Sequence, residues 1–216
     1  MTTSKLTPRA RILESNDRQA HENRRLFDDL GLTAVNVMAS PGAGKTSLIV
    51  SMLRSLDGLR VGVIEGDVAS SLDTEKIRAL NFPAVQINTG GGCHLTSAMI
   101  AQATRELGVR GPGLLFIENI GNLICPAMFD LGEHLRLVVA SVPEGDDKPV
   151  KYPGAFASAD AVALNKTDLL GLVDFAMDRF EAGVRAVNPK APIFAISCRK
   201  GENTAAVRDW LLSRRG

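Results

Sequence analysis

The sequence predicts an α/β protein with a mostly parallel sheet and helices on both faces of that sheet. Short runs rich in Val, Ile, Leu and Ala recur along the chain, as is typical of strands buried on both faces. Segments with helical spacing separate most of these runs, and such alternation favours parallel pairing through helical crossovers. Ligands of parallel sheets bind beyond the carboxyl ends of the strands, so we expect a site in the loops there.

The predicted elements follow a polar helix over residues 8 to about 30, whose few apolar side chains are available for docking and which ends at Gly31. The strands are expected at 33–38, 60–66, 84–88, 113–119, 135–142, 160–166 and 192–197. The helices between them are expected at 45–57, 73–80, 94–107, 169–187 and 203–213. We divide the chain into an N-terminal helical segment, 1–30, and one larger domain, 31–216.

Composition excludes several classes of protein. A net charge of +1 argues against nucleic acid or an anionic membrane as the main partner. The chain has no apolar run of 18 residues and no signal-peptide core at its start, so the cytoplasm is the expected location. Its three cysteines form no C-x-x-C pair, which leaves buried packing, metal ligation or catalysis for them.

The stretch "SPGAGKTSL" lies between the first strand and the first helix of the larger domain, and it is typical of a phosphate-binding loop. Its glycines allow successive backbone N–H groups to face phosphate oxygens, and the helix N-terminus favours the same anion. Lys45 is expected to reach the β- and γ-phosphates, and Thr46 to ligate Mg²⁺. The usual pattern has glycine at position 39, where this chain has Ala39. The residues assigned to this part of the nucleotide site are Gly42, Ala43, Gly44, Lys45, Thr46 and Ser47.

The stretch "ALNKTDLL" carries the guanine-reading pattern of GTPases in Asn165, Lys166 and Asp168. The Asp168 carboxylate can accept from N1–H and the 2-amino group of guanine, a donor pair that adenine lacks. The later stretch "ISCRK" resembles the loop whose backbone N–H groups receive guanine O6, which assigns Ser197 and Cys198 to the nucleotide site.

Two acidic residues are candidates for magnesium. Asp67 and Glu118 each lie at the end of a predicted strand, where a carboxylate can hold Mg²⁺ directly or through water. Glu118 and Gly121 also have the spacing of the loop that senses the γ-phosphate, with Glu in place of Asp. Helix capping is the alternative role for Asp67 and for Asp73.

The stretch "NTGGGCHL" places Cys93 and His94 side by side behind three glycines, and Cys125 follows Gly121 by four residues. These residues suit Zn²⁺ or Ni²⁺ equally, and buried thiols remain the alternative. Three ligands do not close a tetrahedral shell, so water, a partner or a second subunit would complete it. His21 and His134 lie in no cluster of ligands and are expected at the surface.

The ordered blocks "SPGAGKTSL", "IEGD", "NTGGGCHL", "ENIGNLICPAMFDLGE", "SVPEGDDKPVKYP" and "NKTDLL" resemble the hydrogenase nickel-incorporation GTPases of the HypB type, over about residues 10 to 212. The resemblance implies a dimerising nucleotide-switch (SIMIBI-type) P-loop GTPase in which Ala39 is an accepted variation. It also implies that Cys93, His94 and Cys125 form a metal site at a homodimer interface. Lys148 and Lys151 lie where that family has residues near the nucleotide or the interface, although an ordinary charged loop is the alternative.

The function implied is a slow, Mg²⁺-dependent, GTP- and GDP-binding metallochaperone that helps to insert nickel into [NiFe]-hydrogenase. Its expected partners are other maturation proteins and the hydrogenase large subunit. One alternative is a urease-type nickel-accessory GTPase, and another is a nickel or zinc delivery module that does not depend on hydrolysis. A small-molecule kinase is disfavoured by "NKTD". The chain has neither a Cys-rich N-terminal motif nor a His-rich tract, so nickel is expected at the switch-linked site.

Overall fold

The structure, a computed structural model, describes residues 7–56, 58–67 and 72–215. The strands are β1 Leu32–Ala39, β2 Arg60–Asp67, β3 Ala84–Asn88, β4 Gly113–Gly121, β5 Leu135–Ser141, β6 Ala161–Asn165 and β7 Ile193–Ala195. The helices are α1 Pro8–Leu30, α2 Lys45–Leu53, α3 Leu72–Arg78, α4 Ser97–Leu107, α5 Lys148–Lys151, α6 Pro153–Ala157, α7 Met177–Val187 and α8 Thr204–Ser213. Among the described residues, every helix is too short or too polar to span a membrane.

The strands form one seven-stranded sheet in the order β3-β2-β4-β1-β5-β6-β7, and every neighbouring pair is parallel. The α/β fold expected from the alternation of apolar runs and helical segments is thereby confirmed. All eight residues of β1 are buried, as the near-continuous apolar run predicts. The strands that follow β1 in the chain lie on both sides of it, with β2, β3 and β4 on one side and β5, β6 and β7 on the other. The loop after β1 therefore lies at a switch point of the topology.

Each face of the sheet has its own core. Alternate residues such as Val37 and Phe116 pack beneath α2 and α8, where Leu48 and Leu211 are fully buried. The opposite face packs residues such as Ile117 beneath α1 and α4. Helix α1 contributes the fully buried Phe27 to this second core, so part of its apolar surface docks on the sheet. The division of the chain between residues 30 and 31 stays a prediction, and residues 1–6 of that N-terminal segment lie outside the described residues.

The helix expected over 169–187 is wrong at its start, because α7 begins only at Met177. The preceding segment is irregular: Gly171 has a left-handed φ of 82°, and Leu170 forms an isolated bridge with Val173. Helices α5 and α6 were not predicted, since elements of four and five residues are too short to show helical periodicity. Helix α2 ends at Leu53 rather than 57, and residue 57 lies outside the described residues.

Candidate nucleotide and metal sites

A cleft of about 830 Å³ opens at the carboxyl end of β1. Its walls come from the loop between β1 and α2, from α3 and from the loop after β7. Gly42 and Gly44 have φ of 76° and 102°, in the left-handed region where glycine is favoured. A Cβ atom on Gly44 would lie 2.4 Å from Asn165 Nδ2, so this position also requires glycine for space. Lys45 follows as the first residue of α2, so the loop leads directly to a helix N-terminus suited to an anion.

Asn165 and Lys166 connect this loop to the segment after β6, in which the sequence predicts guanine recognition. Asn165 Nδ2 donates to Ala43 O at 2.9 Å, and Asn165 Oδ1 accepts from Cys198 N at 3.1 Å. Lys166 Nζ donates to Gly42 O at 2.7 Å. The two side chains therefore join the three predicted nucleotide loops to one another. This role as a structural link was not visible in the sequence.

Asp168 faces the loop after β7, where Ser197 Oγ donates to Asp168 Oδ1 at 2.6 Å. This hydrogen bond holds the pKa of the Asp168 carboxyl below its usual value, which keeps the carboxylate ionised and able to accept from a base. Ser197 is fully buried and exchanges two backbone hydrogen bonds of 3.0 Å with Glu202. Burial raises the pKa of the neighbouring Cys198 thiol to about 11, so Cys198 is a neutral side chain of the cleft.

Thr46 and Glu118 meet deep in the cleft. Thr46 Oγ1 lies 2.8 Å from Glu118 Oε1 and 3.1 Å from Asp73 Oδ2. Glu118 is 4% exposed, and its Oε2 has no hydrogen-bond partner within the described part of the chain. Burial raises the pKa of Glu118 to about 7, although nearby Lys45 and the Thr46 bond oppose the shift. A buried carboxylate oxygen without a partner, beside a hydroxyl, fits the oxygen ligands that Mg²⁺ prefers.

Asp67 is placed differently from Glu118. It is the last residue of β2, pairs in register with Asn88 of β3, and is not among the residues that line the described cleft. Glu65 instead pairs in register with Glu118, is 2% exposed, and accepts a hydrogen bond from Thr74 Oγ1. Burial raises the pKa of Glu65. Glu65 was not predicted as a site residue from the sequence, although an acidic residue near the end of an apolar strand was the available signal.

The two lysines of the 142–152 segment have different surroundings. Lys148 Nζ lies 3.4 Å from Ser40 Oγ at the start of the phosphate-binding loop and 3.4 Å from Glu144 Oε1. The Lys151 side chain is 62% exposed and pairs with Asp147 at 2.6 Å. Lys148 therefore adds positive charge beside the phosphate-binding loop, whereas Lys151 belongs to a solvent-facing ion pair.

A second group of residues, which we call the metal loops, comprises residues 88–95 after β3 and residues 121–129 after β4. Cys93, His94 and Cys125 have potential ligand atoms that all lie within 4.8 Å of one another. The two Sγ atoms are 3.0 Å apart, and Cys93 Sγ lies 3.5 Å from His94 Nδ1. The His94 ring stacks on Phe129 with 3.8 Å between centroids. Burial lowers the pKa of His94, which favours the neutral imidazole that a metal requires.

The other two histidines have different roles. His21 is exposed, as expected from the sequence. His134, also expected at the surface, is half-buried, with 21% of its side chain exposed. His134 Nδ1 accepts from Ala34 N at 2.9 Å, and its Nε2 lies 2.9 Å from Asp28 Oδ1. It therefore links α1, β1 and the start of β5.

An apolar cavity of about 730 Å³ borders the metal loops. Ile12 and Leu13 of α1 form one wall, and Met128 and Phe129 form the other. His94 and Cys125 also line this cavity, and Ile12 is 61% exposed. The candidate metal site thus lies at the edge of an apolar surface.

Comparison with known proteins identifies the family of this chain. Residues 33–195 match the family model of the CobW/HypB/UreG nucleotide-binding domain. The hydrogenase maturation factor HypB of Azotobacter vinelandii is 48% identical over 206 residues, which cover 95% of this chain and 68% of that protein. The Escherichia coli K12 hydrogenase maturation factor HypB is 45% identical, over 94% of this chain and 71% of its own length. The hydrogenase/urease maturation factor HypB of Helicobacter hepaticus is 39% identical, over 95% of this chain and 86% of its own length.

Solved structures give the same result. The HypB structure from Archaeoglobus fulgidus has a TM-score of 0.88 and 36% identity, and the match covers 94% of this chain and all of that one. The Helicobacter pylori HypB structure in complex with nickel has a TM-score of 0.88 and 35% identity, over 93% and 95% of the two chains. The chain therefore belongs to the CobW/HypB/UreG family of nucleotide-binding proteins, and within it to the hydrogenase maturation factors of the HypB type.

Proposed function

We propose that this protein is a slow, Mg²⁺-dependent GTPase that carries nickel or zinc as cargo and helps to deliver nickel to [NiFe]-hydrogenase. The observation that carries the proposal is the segment from Glu118 to Cys125. Its first residue lies 2.8 Å from Thr46 of the nucleotide cleft, and its last residue lies 3.0 Å from the sulfur of Cys93. The relatives named as hydrogenase maturation factors, and the relative solved with nickel, support the same function.

In this proposal the nucleotide phosphates bind the loop after β1. Residues Gly42 to Ser47 offer backbone N–H groups, and Lys45 and Lys148 add positive charge. Guanine is read by Asp168, whose carboxylate is ionised and held by Ser197. Adenine leaves that acceptor without donors, which gives a strong preference for GTP over ATP. Ser197 and Cys198 form the neighbouring wall of the base site.

Thr46 and Glu118 would hold the Mg²⁺ ion, and Asp67 remains a proposed ligand through water. The ion would neutralise charge that develops on the transferred phosphoryl group. Lys45 would stabilise the same charge from the N-terminus of α2. Phosphoryl transfer of this kind depends on positioning and charge stabilisation, so the residues assigned to catalysis are Lys45, Thr46, Asp67 and Glu118.

Cys93, His94 and Cys125 bind the nickel or zinc cargo. They supply three ligands, whereas a closed tetrahedral site takes four. Cys93 is exposed, and the apolar cavity borders the site, so the same residues of a second copy can approach it. We therefore include a homodimer, formed in response to nucleotide or metal, in the proposal. Other maturation proteins and the hydrogenase large subunit are the proposed recipients, and the cytoplasm remains the expected location.

A urease-type role is the second candidate, because the Helicobacter hepaticus relative is named a hydrogenase/urease maturation factor. A third candidate is a delivery module that does not depend on hydrolysis. The three make different demands on Lys45 and on the recipient enzyme.

The direct test of the proposed function is a Ni²⁺ and Zn²⁺ titration of the purified protein with Mg²⁺–GDP and with a non-hydrolysable GTP analogue. The oligomeric mass is measured in the same samples. We expect metal affinity or stoichiometry to differ between the two nucleotides and to collapse in Cys93→Ser and Cys125→Ser. Cys198→Ser is the matched control and should bind metal as the wild type does. Metal binding that ignores the nucleotide would contradict a nucleotide-coupled metallochaperone.

A further inference from the structure

Two asparagines in the segment between the sites contact the loop that carries Cys93 and His94. Asn119 directly follows Glu118, and Asn122 directly follows Gly121. Asn119 is 1% exposed, so its amide lies within the core rather than at the surface. Neither asparagine offers a thiolate or an imidazole, and neither is among the residues that line the nucleotide cleft. Their hydrogen bonds therefore need a different explanation.

Strand β4 is irregular where Asn119 lies. Glu118 pairs with Val37 of β1, but Gly121 pairs with Ala39, so Asn119 and Ile120 together lie opposite one residue. Asn119 Oδ1 accepts from Ile120 N at 2.9 Å and so stabilises this bulge. Bulges change the direction of side chains and are frequent beside active sites. Here Glu118 faces Thr46 on one side of the sheet, while Asn119 faces the side covered by α1 and α4.

On that side Asn119 contacts the metal loops. Its Oδ1 also accepts from Leu95 N at 3.4 Å, a long hydrogen bond to a residue that is fully buried. Its Nδ2 donates to Asn36 Oδ1 at 3.2 Å, and Asn36 in turn donates to the buried Glu133 at 3.1 Å. The orientation of the Asn119 amide is thus fixed from the sheet, and it holds the backbone that follows His94.

Asn122 holds the other side of His94. Its Nδ2 donates to Cys93 O at 3.3 Å, and its Oδ1 accepts from Ile124 N at 2.9 Å. The carbonyl before His94 and the N–H after it are therefore both bonded to the segment that starts at Glu118. The same segment ends at the third potential ligand, Cys125. A displacement of this segment would therefore reach all three potential ligands.

We propose that Asn119 and Asn122 are positioning residues that couple nucleotide state to the geometry of the Cys93–His94–Cys125 site. The inference rests on the proposed function, because it assumes that nucleotide changes the contact between Glu118 and Thr46. The two amides transmit that change through their hydrogen bonds to Cys93 and His94, while the chain itself carries it to Cys125. Without the two amides, Cys93 and His94 would respond to nucleotide independently of Cys125.

The test is the ratio of Ni²⁺ dissociation constants measured with Mg²⁺–GDP and with the GTP analogue. Couplings between two sites typically change affinity by roughly 5- to 150-fold. We expect Asn119→Ala and Asn122→Ala each to bring this ratio toward one and the double variant to abolish it. GDP affinity measured without Ni²⁺ should stay within about threefold of wild type, since neither asparagine lines the nucleotide cleft.

Asn188→Ala is the matched control. Asn188 Nδ2 donates to Phe156 O at 2.9 Å and Ala159 O at 2.7 Å. The control therefore also loses hydrogen bonds to backbone carbonyls, but these bonds join the end of α7 to the end of α6. It should keep the wild-type ratio even if it melts at a lower temperature. If Asn119→Ala folds poorly, Asn122→Ala still decides, because Asn122 is only half-buried.

Three outcomes are distinguishable. A ratio of Ni²⁺ dissociation constants that falls toward one in the asparagine variants, but not in Asn188→Ala, supports the inference. An unchanged ratio in both variants, or a loss in Asn188→Ala as well, overturns it while the proposed function stands. A wild-type ratio of one overturns the nucleotide coupling in the proposed function itself, and the inference fails with it.

Discussion

The two sites of this molecule differ in how completely their own residues hold one another. Among the loops beside the nucleotide cleft, the Asn165 amide bonds to two loops at once and the Asp168 carboxylate accepts a hydrogen bond from a buried serine. At the metal loops, Cys93 is exposed and the three potential ligands leave a tetrahedral shell open. One site is therefore organised by a single chain, whereas the other needs a further ligand. A preformed site suits a ligand that must be bound firmly, and an open site suits a cargo that must be passed on.

The largest expected effect is at the preformed site. Lys45→Ala removes the charge that we propose stabilises the transferred phosphoryl group, and we expect GTP hydrolysis to fall by about 10³-fold. Metal affinity without nucleotide should stay unchanged, because Lys45 lies in the other site. Lys190→Ala, at an exposed lysine before β7, is the control. Steady-state phosphate release and a metal titration check both expectations.

The same variant separates the candidate functions in cells. In a strain that lacks its own HypB-type protein, Lys45→Ala should fail to restore [NiFe]-hydrogenase activity. Restored activity would instead favour delivery that does not depend on hydrolysis. Urease activity is measured in the same cells. If Lys45→Ala lowers urease activity but not hydrogenase activity, the urease-type role is favoured.

Base recognition should give the next largest effect. Asp168→Asn replaces an acceptor oxygen with a donor, so GTP affinity should fall by about 100-fold. Xanthosine triphosphate, which has a carbonyl where guanine has its 2-amino group, should gain affinity. Asp160→Asn is the matched control, because Asp160 accepts from Arg136 N at the opposite end of β6. Displacement of a fluorescent nucleotide measures the affinities of both variants for GTP and for xanthosine triphosphate. Equal losses of GTP affinity in both variants would show that the effect comes from reduced stability of the fold.

Some residues of the two sites could be predicted from the sequence and others could not. The phosphate loop and "NKTD" were predictable because each needs residue types at fixed local spacing. Cys125 was predictable as a partner of Cys93 only in part, since their contact depends on how β3 and β4 are placed. Glu65 and Asn119 were missed because their roles arise from register with neighbouring strands. Register across a parallel sheet leaves no local pattern in the chain.

At the open site, Ni²⁺ affinity should depend more on the orientation of the ligands than on their burial. Phe129→Ala removes the ring that stacks on His94 at 3.8 Å, and we expect Ni²⁺ affinity to fall by about tenfold. Met128→Ala is the matched control, because Met128 lines the same apolar cavity but has no aromatic ring to stack on His94. A similar loss in both variants would show that the cavity, rather than the stacked ring, determines affinity.

The smallest expected effect concerns the thiol that belongs to the preformed site. Burial raises the pKa of Cys198 to about 11, so at pH 8 its reactive thiolate is scarcer than in an ordinary cysteine, and the fraction rises as pH increases. Iodoacetamide should therefore modify Cys198 at least about tenfold more slowly than it modifies free glutathione at pH 8. Measuring the modified peptides in a Cys93→Ser/Cys125→Ser background isolates this residue. GDP should slow the reaction further because Cys198 lines the nucleotide cleft, whereas rapid modification with or without GDP would place the thiol in solvent and weaken the contrast between the two sites.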